Sequence, residues 1–302
     1  MLLRLKWDFS FAATMSNNAP RSPVDLLILG AGWTSTFLIP LCLHDGVSYA
    51  ATSRAGRDDT IQFEFDPHSE DVQPFRALPD AQSILIVFPI KVKGASERLV
   101  RLYRETHPAS LNTIFIQLGS TGIWDGGPTV RDATHRVPSD LWIDRHSPFD
   151  ATNDRANAEI ELLALSPEAP TTVLNLCGLW GGQRIPKNWI SRVAPTKDAL
   201  KNKGSIHMIH GEDVARAVLA VHRQPAKATG QRWLLTDGRV YDWWDIASAW
   251  GSAGVQPRWV RELMTEEGVR ALPRDAEKLG RAMDSREFWN TFELEPVRGR
   301  LE

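Results

Sequence analysis

Short apolar runs alternate with helical stretches between residues 24 and 181, and the pattern predicts six buried strands. A continuous apolar run that ends at a turn residue is typical of a strand buried on both faces of a parallel sheet. The predicted strands are 24–30, 47–54, 61–67, 82–90, 112–120 and 171–181. Strands that alternate with helices in this way predict an α/β fold with a doubly wound parallel sheet.

The pattern changes after residue 181, where loops and helices predominate. One further strand is predicted at about 231–237, in QRWLLTD, and the tail from residue 256 is helical and charged. We therefore predict that residues 23–181 form a parallel-sheet core. Residues 182–302 are predicted to form mainly a small C-terminal lobe, with the one strand returning to the core.

The first 22 residues do not continue the pattern. The start, MLLRLKWDFSFAAT, is short, mildly basic and apolar, but Trp7 and Asp8 interrupt it, and no cleavage pattern of small residues is clear. A second methionine follows at Met15. We interpret residues 1–22 as a disordered leader, which an upstream start codon would explain, and organelle targeting is the alternative.

Composition and charge narrow the classes of partner. The 302 residues are 42% hydrophobic, which suffices for a large core. The formal net charge is −2, so no basic surface is implied for nucleic acid or for an anionic membrane. No apolar run reaches the ~18 residues that span a bilayer. The two cysteines, Cys42 and Cys177, lie in apolar contexts without metal-ligand spacing, which predicts buried thiols and a cytoplasmic protein without a metal.

Candidate chemistry begins in the sequence GAGWTS between the first strand and the first helix. Gly30 permits a tight turn, and Gly32 lets a pyrophosphate approach the backbone at the positive end of the helix dipole. Ser35 stands where a third small residue is needed, and Trp33 and Thr34 complete the candidate loop. The alternative is a plain strand–turn–helix that uses glycine only for its geometry.

The residues after the next three strands indicate which cofactor would bind. The second strand ends in ATSRAGR, with Ser53 and Arg54 where an NAD site usually has a carboxylate. Arg54 suits a 2′-phosphate, so NADP(H) is favoured over NAD(H), and a solvated loop arginine is the alternative. Asp66 is predicted to meet the adenine amino group, and Phe88 and Pro89 to line the adenosine ribose.

Five segments, in order, resemble those of the extended short-chain dehydrogenases/reductases, in particular the atypical, epimerase/dehydratase-like branch. They are LILGAGWTS, LGSTGIWDG, DRANAEIELL, LNLCGLWGGQR and IHGEDVARAVLA, and they span roughly residues 24–240. The resemblance implies a Rossmann core, a bound NAD(P) and a small C-terminal substrate lobe. It also places Gly178 beside the cofactor.

The resemblance further implies a hydroxyl at the end of the fifth strand and a Tyr-x-x-x-Lys on the next helix. The tyrosine transfers a proton while the nicotinamide transfers hydride, and the lysine holds the ribose. Ser120 and Thr121 match the hydroxyl position. Counting back from Glu159 places Arg155 at the lysine position, where it is assigned both to catalysis and to cofactor binding, and Ala151 at the tyrosine position. The usual proton donor is therefore absent.

Several residues are candidates to replace the missing proton donor or to contact the substrate. His146 is the best general acid or base by its intrinsic pKa, and a polar loop that caps the long helix is the alternative. Trp124, Trp180, Lys187 and Trp189 are candidate substrate contacts. An aromatic-lined pocket suits a bulky apolar substrate, although the tryptophans would equally serve as core residues.

These observations leave three functions open. The first is an NADP-dependent oxidoreductase on a small or medium organic substrate, in which Ser120 or Thr121 orients the substrate. The second is a non-catalytic NADP(H)-binding sensor or scaffold, which the missing tyrosine and lysine favour. The third is a non-redox isomerase or lyase on the same fold. A homodimer remains open.

Overall fold

A seven-stranded sheet runs through the computed structural model, which describes residues 22–109, 112–125, 142–251 and 254–301. All but the last residue of the proposed leader lies outside the described residues. Every pair of neighbouring strands in the sheet is parallel. The strands are β1 (Val24–Leu29), β2 (Tyr49–Ser53), β3 (Ile61–Gln62), β4 (Ala81–Ile86), β5 (Ile114–Ser120), β6 (Thr171–Leu176) and β7 (Gln231–Leu235).

The strand order is β7-β6-β5-β4-β1-β2-β3. The chain winds outward from β1 to β3, then crosses over to β4 and winds the other way. The order therefore reverses between β1 and β4, and ligands of such sheets bind at the carboxyl ends of the strands at this point. The predicted doubly wound α/β fold is confirmed.

Some strands end sooner than predicted. The third has two paired residues, at Ile61 and Gln62, because it is an edge strand that pairs only with β2. The apolar alternation beyond it comes from Phe63 and Phe65, whose rings pack against Phe75. The sixth run is divided in two, since β6 ends at Leu176 and a separate strand, Gly178–Trp180, follows it.

Ten α-helices lie within the described residues. They are α1 (Ser35–His44), α2 (Ala95–Thr106), α3 (Asp154–Leu163), α4 (Ile190–Val193), α5 (Lys197–Lys201), α6 (Gly211–Arg223), α7 (Pro225–Ala228), α8 (Trp243–Trp250), α9 (Val255–Glu266) and α10 (Arg286–Thr291). Among these described helices, none is both long enough and apolar enough to cross a membrane.

The helices cover both faces of the sheet, and β1 shows how the strand residues divide between them. Leu26 and Ile28 pack with α1 and α6, whereas Leu27 and Leu29 pack with α2 and α3. Both faces of this strand are buried, which is why its apolar run has no polar alternation. The two cysteines are buried and unpaired, as predicted, and burial raises the pKa of Cys42 to about 11.

A separate apolar cluster joins α4, α5, α8 and α9 beyond the sheet. Two of the short strand pairs link this part to the core: Gly178–Trp180 with Met208–His210, and Trp142–Ile143 with Ala282–Met283. A third pair joins Ser205–Ile206 to Tyr241–Asp242. The fully buried carboxylate of Asp213 accepts hydrogen bonds from two backbone N–H groups near the C-terminus, which holds that segment against α6.

His207 makes the stability of the fold depend on pH. Its buried Nε2 accepts a hydrogen bond from the Met283 N–H at 3.0 Å, and burial lowers its pKa to about 4. The folded form resists protonation below pH 6.5 while the unfolded chain does not, so the contribution of His207 to stability is lost as the pH falls toward 4. Between pH 7.5 and pH 5 the wild type is expected to lose about 2 kcal/mol on this account.

The measurement is denaturant unfolding of the wild type and of His207→Gln at both pH values. The glutamine keeps an acceptor for Met283 but does not titrate. The variant is expected to lose less stability than the wild type on acidification, and an equal loss in both proteins would contradict the role of His207.

Candidate functional site

The turn after β1 has the geometry of a phosphate-binding loop. Gly30 has a φ of 98°, in the region that favours glycine, and its N–H donates to Thr52 Oγ1 at 3.0 Å. The next residue, Ala31, donates its N–H to the Thr52 carbonyl. A Cβ built on Gly32 would have a single neighbour within 4 Å, the Gly30 carbonyl oxygen at 4.0 Å. The backbone at Gly32 is therefore open to a ligand.

A cavity of about 570 Å³ lies against this loop, at the carboxyl ends of β1, β2 and β4. Five residues predicted for cofactor binding line it: Gly30, Gly32, Ser53, Arg54 and Phe88. The remaining described lining residues are Ala31, Thr52, Ala55, Arg57, Phe63, Glu64 and Phe65. The rings of Phe65 and Phe88 are stacked, with centroids 6.0 Å apart, so one side of the cavity is aromatic.

A second arginine joins Arg54 in this cavity. The Arg57 Nη2 donates to the Ala31 carbonyl at 3.1 Å, so its side chain reaches back to the glycine loop. The Ser53 hydroxyl shapes this loop, because it accepts the Arg57 N–H at 3.1 Å and lies 2.7 Å from Thr60 Oγ1. The prediction named Arg54 alone. The signal for Arg57 was the Arg-Ala-Gly-Arg spacing, in which the turn at Gly56 brings both arginines to the same cavity.

Three other predicted cofactor residues lie elsewhere. Asp66 is exposed, and its carboxylate accepts the His68 N–H at 2.8 Å, while Glu64 lines the cavity instead. Pro89 is also exposed. Gly178 is a packing position, since a Cβ there would lie 2.5 Å from Met208 Sδ. β3 ends at Gln62, and Asp66 is the first residue beyond the lining residues Phe63, Glu64 and Phe65.

Trp33 ties the glycine loop to the loop after Gly178–Trp180. Its indole N–H donates to the Gly181 carbonyl at 3.0 Å. The guanidinium of Arg184 lies 4.4 Å from the centre of the indole ring. Thr34 and Ser35 are buried at the start of α1. The Trp33 side chain therefore connects the two loops and is not among the described residues that line the cavity.

Ser120 and Thr121 lie together at the end of β5 but face different partners. The Ser120 hydroxyl oxygen accepts the Gly122 N–H at 3.1 Å and caps the 3₁₀ turn Thr121–Trp124. The Thr121 hydroxyl is buried and donates to the Leu176 carbonyl at 3.4 Å. Ser120 is therefore the better placed of the two to meet a ligand.

A buried ionic network lies beneath Ser120. The side chain of Glu159 is 2% exposed, and the Asn175 side-chain amide donates to both of its oxygens, at 3.0 and 2.9 Å. The same amide donates to the Ser120 carbonyl at 3.2 Å. Arg232 Nη2 and Arg155 Nε lie 3.3 and 3.8 Å from the carboxylate. Burial raises the pKa of Glu159, and both neighbouring guanidinium groups oppose that rise.

Arg155 was assigned to the cofactor, and the structure shows its side chain engaged in this network. Its Nη2 donates to the Leu118 carbonyl at 2.6 Å, in addition to the contact with Glu159. Burial lowers its pKa. The N-terminus of α3 is capped by Asn153, whose side-chain oxygen accepts hydrogen bonds from the N–H groups of Arg155 and Ala156.

The structure does not bring His146 to Ser120. Its Nε2 lies 3.0 Å from a carboxylate oxygen of Glu287 on α10, and 63% of the side chain is exposed. The adjacent Ser147 carbonyl accepts a hydrogen bond from the Trp124 indole at 3.0 Å. The loop therefore contacts the turn after Ser120 through Ser147, while the His146 ring contacts Glu287 instead.

The structure does not bring the four candidate substrate contacts to one site. Trp124 lines a cavity of about 510 Å³ between the turn after β5 and the C-terminal part of the chain. Trp180 lines another cavity of about 320 Å³, where its ring is edge-on to His210. Lys187 is exposed, and Trp189 is half-buried against the C-terminal apolar cluster.

A scan against protein-family models finds no match for the chain, and a search of curated proteins finds none. Solved structures match along nearly the whole length. A UDP-N-acetylglucosamine 4-epimerase from Bacillus cereus has a TM-score of 0.59 at 10% identity, covering 91% of this chain and 94% of its own. A dTDP-glucose 4,6-dehydratase from Bacillus anthracis in complex with NAD has a TM-score of 0.56 at 14% identity, covering 91% and 92%.

A third match is a short-chain dehydrogenase/reductase superfamily protein from Agrobacterium tumefaciens with bound NAD. Its TM-score is 0.55 at 12% identity, covering 90% of this chain and 92% of its own. The chain has the fold of the extended short-chain dehydrogenases/reductases. The resemblance carried by the sequence motifs is thus confirmed for the fold. At sequence identities this low, the structural similarity shows the fold but does not identify the substrate.

The described residues contain no group of three or more His, Cys, Asp or Glu side chains that could hold a metal ion. Among the described residues, the titratable groups near Ser120 include the buried Glu159 network, whose members are paired with one another, and Asp125, which is paired with Arg281. This fold has an open glycine loop after its first strand, and it has Arg155 and Ala151 at the positions where the resemblance would place a lysine and a tyrosine.

Proposed function

We propose that this protein binds NADP(H) and is an atypical short-chain dehydrogenase/reductase that acts on a small or medium organic substrate. The cavity beside Gly32 carries the proposal, because two arginines line it together with the open backbone of a glycine loop. Gly32 and the start of α1 would bind the pyrophosphate. Phe65 and Phe88 would pack against the adenosine.

The charges in the cavity favour NADP(H) over NAD(H). Arg54 and Arg57 both line the cavity and would bind a 2′-phosphate, and β2 ends in Ser53 without a carboxylate to bind a free ribose hydroxyl. A guanidinium binds phosphate through two parallel hydrogen bonds. Glu64 is the one carboxylate among the described lining residues, and we assign it the adenine amino group in place of Asp66.

Arg54→Ala and Arg57→Ala are each expected to weaken NADPH binding roughly tenfold, because each removes a charged partner of the phosphate. NADH binding should stay unchanged. Calorimetric titration of the full chain with both nucleotides measures this. Arg76→Ala, an exposed arginine away from the cavity lining, is the matched control. Equal affinities of the wild type for NADPH and NADH would contradict the assignment.

A second candidate function is binding of NADP(H) without turnover. The pairing of His146 with Glu287, and of Arg155 with Glu159, favours it, because neither side chain replaces the missing tyrosine in this arrangement. The discriminating measurement follows NADPH absorbance with a panel of carbonyl, enone and imine compounds. Oxidation with any of them supports the reductase. Tight NADPH binding with no oxidation across the panel supports the non-catalytic protein.

A further inference from the structure

Thr52, near the end of β2, holds the start of the glycine loop with two of its oxygen atoms. Its side-chain Oγ1 accepts the Gly30 N–H at 3.0 Å, and its carbonyl oxygen accepts the Ala31 N–H at 2.6 Å. The paired register of β1 and β2 ends one residue earlier in β2, where Ile28 lies opposite Ala51. Thr52 therefore holds the chain at the point where it has just left the first strand.

Both hydrogen bonds depend on the conformation of Gly30. Its φ of 98° lies in the region that favours glycine, and with it the N–H groups of Gly30 and Ala31 both reach Thr52. Thr52 itself is only 1% exposed, so its hydroxyl is not offered to a ligand. A hydroxyl in this position can act on a ligand only through the loop that it holds.

The next three N–H groups along the chain have no protein partner. Within the part of the chain that the structure describes, the N–H groups of Gly32, Trp33 and Thr34 form no hydrogen bond. The Ser35 N–H, which follows them, donates to the Gly32 carbonyl at 3.1 Å as α1 begins. N–H groups at the start of a helix lack partners within it and, together with the helix dipole, favour an anion. The residues that Thr52 holds come directly before these free donors.

We propose that Thr52 is the positioning residue of the glycine loop: its hydroxyl holds Gly30 in the conformation that presents the three free N–H groups to the pyrophosphate of a dinucleotide. This inference rests on the proposed function, because it assigns a role in binding the cofactor named there. It divides the site into two parts. Thr52 acts on the pyrophosphate through the loop, whereas Arg54 binds the 2′-phosphate directly.

Two nucleotides test the two parts separately. ADP carries a pyrophosphate without a 2′-phosphate, and adenosine 2′-phosphate carries the 2′-phosphate without a pyrophosphate. Thr52→Val keeps the branched shape of the side chain and removes the acceptor of the Gly30 N–H. This variant is expected to bind ADP and NADPH about tenfold more weakly than the wild type, because the lost hydrogen bond releases the loop. Its affinity for adenosine 2′-phosphate should stay unchanged.

Calorimetric titration of the full chain measures the binding, with denaturant unfolding of each variant beside it. Thr52→Ser keeps the acceptor and should restore wild-type binding of all three nucleotides. Arg54→Ala should show the opposite pattern, with weaker binding of adenosine 2′-phosphate and unchanged binding of ADP. Thr172→Val is the matched control, because Thr172 is a fully buried strand threonine outside this cavity, and its hydroxyl donates to the Gln231 carbonyl at 2.9 Å. It should leave the binding of every nucleotide unchanged.

Unchanged ADP binding in Thr52→Val would overturn the inference. Equal losses for ADP and adenosine 2′-phosphate would also overturn it, because they indicate a general distortion of the cavity, and so would a failure of Thr52→Ser to restore ADP binding. The proposed function can fail separately. If ADP binding depends on Thr52 but the wild type binds NADPH no more tightly than NADH, the NADP(H) assignment alone is wrong. If the wild type binds none of the nucleotides, both are wrong.

Discussion

Gly32→Val is expected to weaken NADPH binding roughly 100-fold while the protein stays folded. The space beside Gly32 holds no protein atom nearer than the Gly30 carbonyl, at 4.0 Å from a built Cβ. A valine side chain would therefore fit the protein but would occupy the place of the pyrophosphate. Gly32 is also outside the set of glycines with positive φ, so a side chain causes no backbone strain of that kind. A clash of about 3 kcal/mol corresponds to a roughly 100-fold loss of affinity.

Calorimetric titration with NADPH and denaturant unfolding together check this prediction. The unfolding free energy should change by less than about 0.5 kcal/mol, as for a surface substitution. Gly30→Ala is the contrasting variant, because its φ of 98° strains any residue with a Cβ. It should lose about 1–2 kcal/mol of stability. NADPH binding of wild-type strength in Gly32→Val would show that the glycines only shape a turn.

Most of the fold could be predicted from the sequence because the central strands are buried on both faces. A strand such as β1 has no polar alternation, so its apolar run stands out beside any helix. The edge strand β3 could not be predicted to its length, because Phe63 and Phe65 continue the alternation for a different reason. Their rings pack into the layer under α2 and against the cavity, without a partner strand.

The residues that line the cavity beside Gly32 could be predicted where their position depends on the end of a strand, but not where it depends on the curvature of a loop. The positions of Gly30 and Gly32 follow from the end of a strand, and both line the cavity. Arg57 reaches the same cavity only because the chain turns at Gly56, which the spacing alone does not fix. His146 was chosen by its intrinsic pKa, which carries no information about the direction of its ring.

The Glu159 network was beyond prediction because three separate elements supply it. Glu159 and Arg155 lie on α3, Asn175 on β6 and Arg232 on β7. In the sequence, Glu159 served only to locate the tyrosine and lysine positions. The strand order brings the carboxylate between the guanidinium groups of Arg232, which is nearly buried, and Arg155, which is half-buried.

Glu159→Ala is expected to destabilise the protein by about 3–5 kcal/mol, because it removes the buried counter-charge of Arg232, whose side chain is 9% exposed, and of the half-buried Arg155. Glu105→Ala is a matched control. Glu105 also pairs with an arginine four positions away on a helix, Arg101, but that pair is exposed. Exposed pairs of this spacing contribute about 0.3–0.5 kcal/mol, so the control should change stability by no more than that. Denaturant unfolding of both variants measures the difference.

Glu159→Gln separates charge from hydrogen bonding. The glutamine carbonyl can still accept from the Asn175 amide, but Arg155 and Arg232 lose their anion. Its loss of stability should therefore fall between those of Glu105→Ala and Glu159→Ala. If Glu159→Ala costs less than about 1 kcal/mol, the arginines do not depend on this carboxylate. If glutamine restores wild-type stability, the hydrogen bond to Asn175 and not the ionic network holds β6 to α3 beneath Ser120.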